Sequence, residues 1–525
     1  MNPASIEQLS SKVSLRDWAA VLGAALGAFM AILDIQVINA SLREIQGALS
    51  LSMTEGSWIT TSYLIAEIIV IPMTGALSTA IGLRRYFVAN TIIFLVASIF
   101  CGLSWNLSSM VFFRVIQGLS GGVLIPMSFQ TILTKLPLAK RNIGFAVFGL
   151  TITLAPTLGP TIGGYLTDQL NWRFIFFINL IPGLLVAALL MYGFEKSPLQ
   201  IHKLKKFDFS GAFFLSLALG SLTYMLEEGA RKEWFEDFAI QIFFLIFVVS
   251  FAIFLVIMLL KENPLLRIDL LAERNFGLSA LITVFAAIAL YGGVYATSIY
   301  LGQIQNFSAQ QIGATIMWIG IPQIAMMPLM PFLMNRVDLR LLAFIGFSFF
   351  MYSNFLNGSL NFFYSGDQFR ISLILRALGQ PLFMIPLSAL AMSQIPKDRI
   401  ADASAIYNTL RNIGGSIGIC LVSTLLVSRT SQHLQNHVEW IDIDSPQQWN
   451  DYIPAQNQFF STSLSGWAEA KAMTLRHVVE MAYRDSLIQS FSDVFIVIAW
   501  GLLICLGLIL LLRKASLTSS IEGGH

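Results

Sequence analysis

Apolar runs of about twenty residues recur along the whole chain, separated by polar connections, and this pattern limits the fold more than any other feature. A helix of about 20 mostly apolar residues crosses a hydrocarbon core about 30 Å thick. The runs fall at 18–40, 57–79, 86–105, 109–133, 143–166, 174–194, 210–226, 239–260, 275–301, 310–334, 340–357, 370–392, 403–427 and 492–512. The expected fold is therefore an all-α membrane protein with fourteen spanning helices. Composition agrees: 56% of the 525 residues are hydrophobic and only 12% are charged, where a soluble domain carries about 25%. Such a chain is solvated by a lipid bilayer. Its net charge of +2 and lack of basic blocks give no reason to expect nucleic acid as a partner.

The distribution of Lys and Arg orients the spans. With the N-terminus inside, the inner segments hold Lys12, Arg16, Arg84, Arg85, Lys135, Lys140, Arg141, Lys196, Lys203, Lys205, Lys206, Lys261, Arg267, Arg274, Arg336, Arg340, Lys397, Arg399, Arg513 and Lys514. The short outer loops hold Arg43, Arg173, Arg231, Lys232 and Arg370, so 20 stand against 5 and both termini are expected in the cytoplasm. The polar N-terminal segment is followed by no short apolar stretch with a small-residue cleavage site, so the first run is expected to stay as a span. One outer segment is long. Residues 428–491 are polar, carry Trp440, Trp449 and Trp467, and end in "AKAMTLRHVVEMAYRDSLIQSF", whose spacing predicts an amphipathic helix.

The two halves echo each other. "GALSTAIGLRRYF" (75–87) leaves the second span and "PFLMNRVDLRLLA" (331–343) leaves the tenth; an offset of 256 sets Arg84 against Arg340 and Thr79 against Asn335. "RVIQGLSGGVLIPMS" from Arg114 likewise resembles "RALGQPLFMIPLS" from Arg376. These echoes divide the chain into a cytoplasmic N-terminus (1–17), a six-helix bundle (18–194), a linker with two inserted helices (195–274), a second six-helix bundle (275–512, including the external loop 428–491) and a cytoplasmic tail (513–525). Repeated bundles around a midplane site are the construction of secondary transporters.

Ionisable residues inside spans are costly and mark function by default. Asp34, Glu67, Arg114, Arg376 and Arg411 are the clear cases. Asp34 and Arg114 fall at similar depth in spans 1 and 4 and are expected to pair, either as a fixed ion pair or as a proton carrier. A buried carboxylate holds a proton more tightly without a cationic partner than with one, so gaining and losing that partner moves a proton. Asp34 and Glu67 are the candidates for this role, with Glu67 also suited to recognising a cation or lining a cavity. Arg376 and Arg411 read as structural or gating contacts. Asn39, Gln117, Met127, Tyr291, Tyr295, Trp318, Met384, Tyr407 and Arg411 are the candidate lining of an adaptable substrate cavity.

Other chemistry finds little support. Cys101, Cys420 and Cys505 sit in apolar runs and read as small hydrophobes. His433 and His437 stand four apart in a polar loop without a third ligand and read as solvated rather than metal-binding. There is no phosphate-binding G-x-x-x-x-G-K-[ST] and no nucleophile–base set, so an enzyme is not expected.

The motifs resemble a known family. "LDIQVINASLREI" (33–45), "RVIQGLSGG" (114–122), "APTLGPTIGGYL" (155–166), "NWRFIFFINLIPG", "LEEGARKEWF", "NPLLRIDLLAERNF" and "NTLRNIGGSIG" together resemble the 14-span drug:proton antiporters of the major facilitator superfamily, most closely the EmrB-like branch. Within "APTLGPTIGGYL", Pro156, Gly159, Pro160, Gly163 and Gly164 match the exporters' span-5 motif. Gly75, Gly82, Arg84 and Arg85 match the gating loop after span 2, but Thr79 replaces its usual Asp. Glu67 also departs from the family, which commonly has an apolar residue there. The resemblance implies a proton-coupled exporter of small hydrophobic or amphipathic compounds, powered by the proton gradient with no cofactor, in a bacterial inner membrane. It further implies a periplasmic membrane-fusion adaptor and an outer-membrane channel as partners. Two alternatives stay open: a dedicated exporter of one metabolite, siderophore or fatty acid, and a sensory or structural protein that has lost transport.

Overall fold

The computed structural model describes residues 13–195, 199–200, 207–261, 265–396, 399–439 and 467–514. Among these, all regular secondary structure is helical. The long helices are α1 (Leu15–Ala40), α2 (Glu55–Ile81), α3 (Leu83–Gly102), α4 (Leu107–Lys135), α5 (Leu138–Gln169), α6 (Phe174–Gly193) and α7 (Phe209–Glu228). They continue with α8 (Phe238–Leu260), α9 (Arg274–Gln303), α10 (Gln310–Arg336), α11 (Leu339–Ser359), α12 (Gly366–Met392), α13 (Ile400–Glu439) and α14 (Trp467–Ile509). Thirteen are long and apolar enough to cross a membrane as single helices, and α5 makes the fourteenth as two pieces bent by 44°. Each apolar run needs its first backbone N–H groups satisfied where it leaves water. Small polar residues do this: the Ser14 hydroxyl accepts from Asp17 N, and Ser52 with Glu55 and Ser308 with Gln311 form reciprocal caps.

The packing repeats with the sequence. In the first half α1 lies against α4, α5 and α6, and α4 against α2 and α3. In the second half α9 lies against α12, α13 and α14, and α12 against α10 and α11. The inserted α7 pairs with α8 and leans on α2. Helix α8 has a mean hydropathy of 3.3 and exposes Phe238, Leu245, Val256, Leu259 and Leu260, as a lipid-facing helix does. The repeat extends to the backbone. α2 tightens into a 3-10 turn at Ile71–Met73 and α10 into one at Met327–Leu329, the same 256 residues apart, each holding a proline (Pro72, Pro328). Proline lacks the N–H that would bond four residues back, so both helices are weakened at matching points.

The bend in α5 falls between Ile143–Pro156 and Leu158–Gln169, in the segment rich in proline and glycine. Beyond it the glycines let α1 approach closely. A Cβ on Gly159 would lie 2.3 Å from Gln36 Cβ, and the Ser41 hydroxyl donates to Gly163 O at 3.2 Å.

The structure corrects the reading of 428–491 as a loop at its two described ends; residues 440–466 lie outside the described residues. α13 continues to Glu439, and the expected amphipathic helix is continuous with the last span from Trp467. The two extensions brace one another: Thr430 Oγ1 donates to Ser490 Oγ at 3.0 Å, and His433 Nε2 lies 2.8 Å from Asp493 Oδ2. His433 and His437 therefore stand on a helix, not in a polar loop. Lys12, Lys196, Lys203, Lys205, Lys206, Lys397, Trp440, Trp449 and the tail after Lys514 lie outside the described residues.

Candidate functional site

The first bundle buries a charge network. Arg114 Nη1 donates to Asp34 Oδ2 at 2.7 Å, and neither side chain is exposed to any degree. Asp34 Oδ1 accepts from Gln117 Nε2 at 2.9 Å and from Asn179 Nδ2 at 2.7 Å. Arg114 is held in turn by Ile59 O at 3.0 Å, by Gln117 Oε1 at 2.8 Å and by the face of the Tyr63 ring, 4.1 Å from its centroid. Asn179 also donates to Ser98 Oγ at 3.1 Å. α1, α2, α3, α4 and α6 all contribute, and all belong to one bundle. A buried ion pair is tolerable when its spare lone pairs and protons are satisfied, as most are here.

Glu67 differs. It is also buried, but Asn412 Nδ2, which donates to its Oε1 at 3.2 Å, belongs to α13 of the other bundle. Arg411 precedes Asn412 on α13, and its Nε and Nη2 are buried without hydrogen-bond partners among the described residues. Arg411 lines a mostly apolar cavity between the bundles, with Phe145 and Phe148 of α5, Thr283 of α9, Met384 of α12 and Tyr407 of α13. Tyr407 accepts from Thr283 Oγ1 at 2.7 Å and stacks on Phe129, with centroids 5.9 Å apart. The arrangement sets the Arg411 guanidinium beside an apolar space, next in sequence to the amide that bonds Glu67 of the opposite bundle.

Of the residues expected to line that space, the structure brings Met384, Tyr407 and Arg411 to it. Gln117 belongs to the Asp34 network instead, because its amide bonds both charged groups. Met127 is fully buried in the core of the first bundle. Asn39 is exposed at the end of α1, accepting from Thr60 at 3.0 Å. Tyr291 packs on Gly415, Tyr295 accepts from Ser423 at 3.3 Å, and Trp318 lies under Arg370. In the gating loop, a Cβ on Gly75 would lie 3.1 Å from the backbone of Ala401, so α2 and α13 touch at the end of the molecule where α1 begins and α14 ends. Thr79 bonds back to Gly75 O at 2.9 Å. Gly82 has φ 94°, a conformation that only glycine adopts without strain, and it turns the chain into α3 with Arg84 half-buried and Arg85 exposed. Asn179, Ser98, Tyr63 and Asn412 were missed by sequence reasoning. Asn179 alone carried a signal, as a lone amide in "FIFFINLIPG".

Among the described residues, no group of three or more His, Cys, Asp or Glu is placed to hold a metal ion. The comparisons with known proteins agree on the architecture. Solved structures with similar folds include the human organic anion transporter MFSD10 (TM-score 0.55, 14% identical, 93% of this chain and 99% of that one). The proton:xylose symporter XylE is similar to the same degree (TM-score 0.55, 14% identical, 93% and 95%). Sequence relatives are nearer. The colistin resistance protein EmrB of Acinetobacter baumannii is 36% identical over 487 residues, covering 92% of this chain and 93% of the relative. The multidrug export protein EmrB of Escherichia coli K12 is 30% identical over 488 residues, with the same coverage. Residues 24–419 match the family model described as Major Facilitator Superfamily. The chain belongs to the major facilitator superfamily, and within it to the EmrB-type multidrug export proteins.

Proposed function

We propose that this protein is a proton-coupled multidrug efflux transporter that exports hydrophobic or amphipathic compounds by alternating access between two six-helix bundles. Family membership supports export. The observation that supports coupling through named residues is the hydrogen bond between Glu67 and Asn412, because its two ends belong to different bundles. Rocking of the bundles breaks that contact and moves Arg411 away, so Glu67 gains and loses partners within each cycle. Asp34 keeps all its partners within one bundle and holds Arg114 in place, and its proton exchange requires that this network open. Asp34 and Arg114 with Glu67 are thus the coupling set. The cargo site is placed at the cavity beside Arg411, which encloses about 30 Å³ in this packing and must widen as the bundles part; its apolar wall with few polar groups suits varied ligands. The division into 18–194, 195–274 and 275–512 follows the repeated packing.

The Lys and Arg asymmetry supports cytoplasmic termini in an inner membrane. The 40-residue α13 is about 60 Å long, twice the hydrocarbon thickness, so its braced pair with α14 projects well beyond the bilayer. A rigid projection of this kind supports docking of a periplasmic adaptor that leads to an outer-membrane channel.

The test is dye efflux driven by an imposed pH gradient in vesicles. Glu67→Gln and Asp34→Asn are expected to lose gradient-driven efflux while still binding dye. Wild-type rates and pH dependence in both variants would sink the coupling assignment.

A further inference from the structure

The inserted helix α7 ends in two adjacent carboxylates with different surroundings. Glu228 turns to the first bundle: it pairs with Arg231 and accepts from the Ser57 hydroxyl of α2 at 3.0 Å, and Arg231 donates to the same hydroxyl at 3.0 Å. This ties α7 to α2. Successive residues on a helix point about 100° apart, so Glu227 faces elsewhere. Helix α7 also packs against α13 of the second bundle. Glu227 Oε1 is buried and accepts no hydrogen bond among the described residues. The other ionisable groups nearby are engaged: Glu228 with Arg231 and Lys232 with Asp237. Tyr224 packs against Phe243 of α8, and α2 sets Ser57, Trp58, Ile65 and Ile69 against α7. Glu227 thus sits at the seam where an element anchored to the first bundle meets the second, near the end where α1 finishes and α2 begins.

A carboxylate buried without a cation is costly as an anion and relieves that cost by taking a proton. We propose that Glu227 is a further proton-binding carboxylate of the transport cycle, loaded from the solution on the side where α1 finishes and α2 begins. When the seam opens to water, the Glu227 carboxylate is hydrated and exchanges its proton with that solution. When the second bundle closes against α7, the carboxylate keeps the proton as an O–H bond. Uptake and release are the same transfer run in opposite directions, with no other reactant. The inference rests on the proton-coupled reading above and adds a site on the inserted helices.

The experiment is infrared spectroscopy of the full-length protein in lipid nanodiscs, following protonated-carboxyl absorbance as pH is varied. Glu227→Gln, Asp34→Asn and Glu67→Gln are compared with wild type. The expected result is that Glu227→Gln removes one carboxyl component that grows as pH falls, and that proton uptake in weak buffer drops by one per protein. If Glu227→Gln does not fold, Glu227→Asp is used, and the titrating component is expected to shift in position rather than vanish. A component that is lost but never varied with pH would mark a permanently protonated structural carboxyl and overturn the inference, as would an unchanged spectrum. Loss of titrating components in Asp34→Asn or Glu67→Gln but not at Glu227 would overturn this inference alone. If none of the three carboxylates titrates, the proton-coupled reading falls with it.

Discussion

Arg114 of α4 and Arg376 of α12 occupy matching helices of the two bundles, yet their surroundings diverge. Arg114 has a carboxylate, an amide, a carbonyl and a ring around it. Arg376 donates to Leu290 O at 2.6 Å and lies over the Phe350 ring, with its Nε buried and without a hydrogen-bond partner among the described residues. Glu67 shows the same contrast. At the repeat offset its counterpart in α10 is Gln323, which donates to Gln380 at 2.9 Å. The two halves thus keep the same helix packing and the same buried cation, but among the described residues only the first pairs that cation with an acid. Acid–base chemistry is concentrated in one bundle, while the other contributes Arg411, Tyr407 and Met384 to the cavity wall.

The largest expected effect tests that contrast directly. Arg114→Met leaves Asp34 buried without its cation and should cost about 3–5 kcal/mol. Arg376→Met strands no opposite charge and should cost only about 1.5–3 kcal/mol, the worth of a charged hydrogen bond. Apparent unfolding midpoints in nanodiscs check this, and equal losses would break the comparison. Next come the glycines where paired helices touch. A Cβ on Gly159 meets Gln36 Cβ at 2.3 Å, while at the matching Gly415 it meets the Tyr291 ring edge at 3.0 Å. Gly159→Ala should destabilise by about 1–3 kcal/mol and Gly415→Ala by less, since one ring can shift more easily than a backbone. A smaller change is expected from Gln323→Glu, which gives the second bundle the acid it lacks. Efflux rate against pH should gain an additional inflection, with a rate change of up to about tenfold, or about 1.4 kcal/mol. An unaltered pH profile would show that the acid matters only in the first bundle's setting. Smallest of all is Thr79→Asp, which restores the residue usual in related gating loops. Because the Thr79 hydroxyl bonds only its own helix in the contacts described, stability should move by no more than about 0.5 kcal/mol, and efflux assays would reveal any gain in gating.

Much of this was legible in the sequence for a physical reason. Hydrocarbon tolerates few charges and demands long apolar helices, so span number, the repeat and the cost of Asp34, Glu67 and Arg114 all show in residue type alone. Pairing of Asp34 with Arg114 followed from depth. What depth does not give is rotation about the helix axis, and that misplaced Gln117 and Met127 in the cavity. Asn412 was hidden because a bond between bundles depends on how they meet, which no local pattern encodes. The extensions of α13 and α14 were hidden because outside the bilayer their stability comes from bracing each other, through Thr430–Ser490 and His433–Asp493, rather than from apolar length.

The matching 3-10 turns in α2 and α10 have a mechanical consequence. Past the turn, α2 continues as the eight-residue arm Thr74–Ile81, which ends at the gating loop. Such an arm is about 12 Å long, so pivoting it by about 20° swings its tip by about 4 Å, wider than a water molecule. With a like joint in α10, the end where α1 begins carries two short arms that can pivot without carrying Glu67 with them. The expected consequence is that water enters at this end before the bundles part.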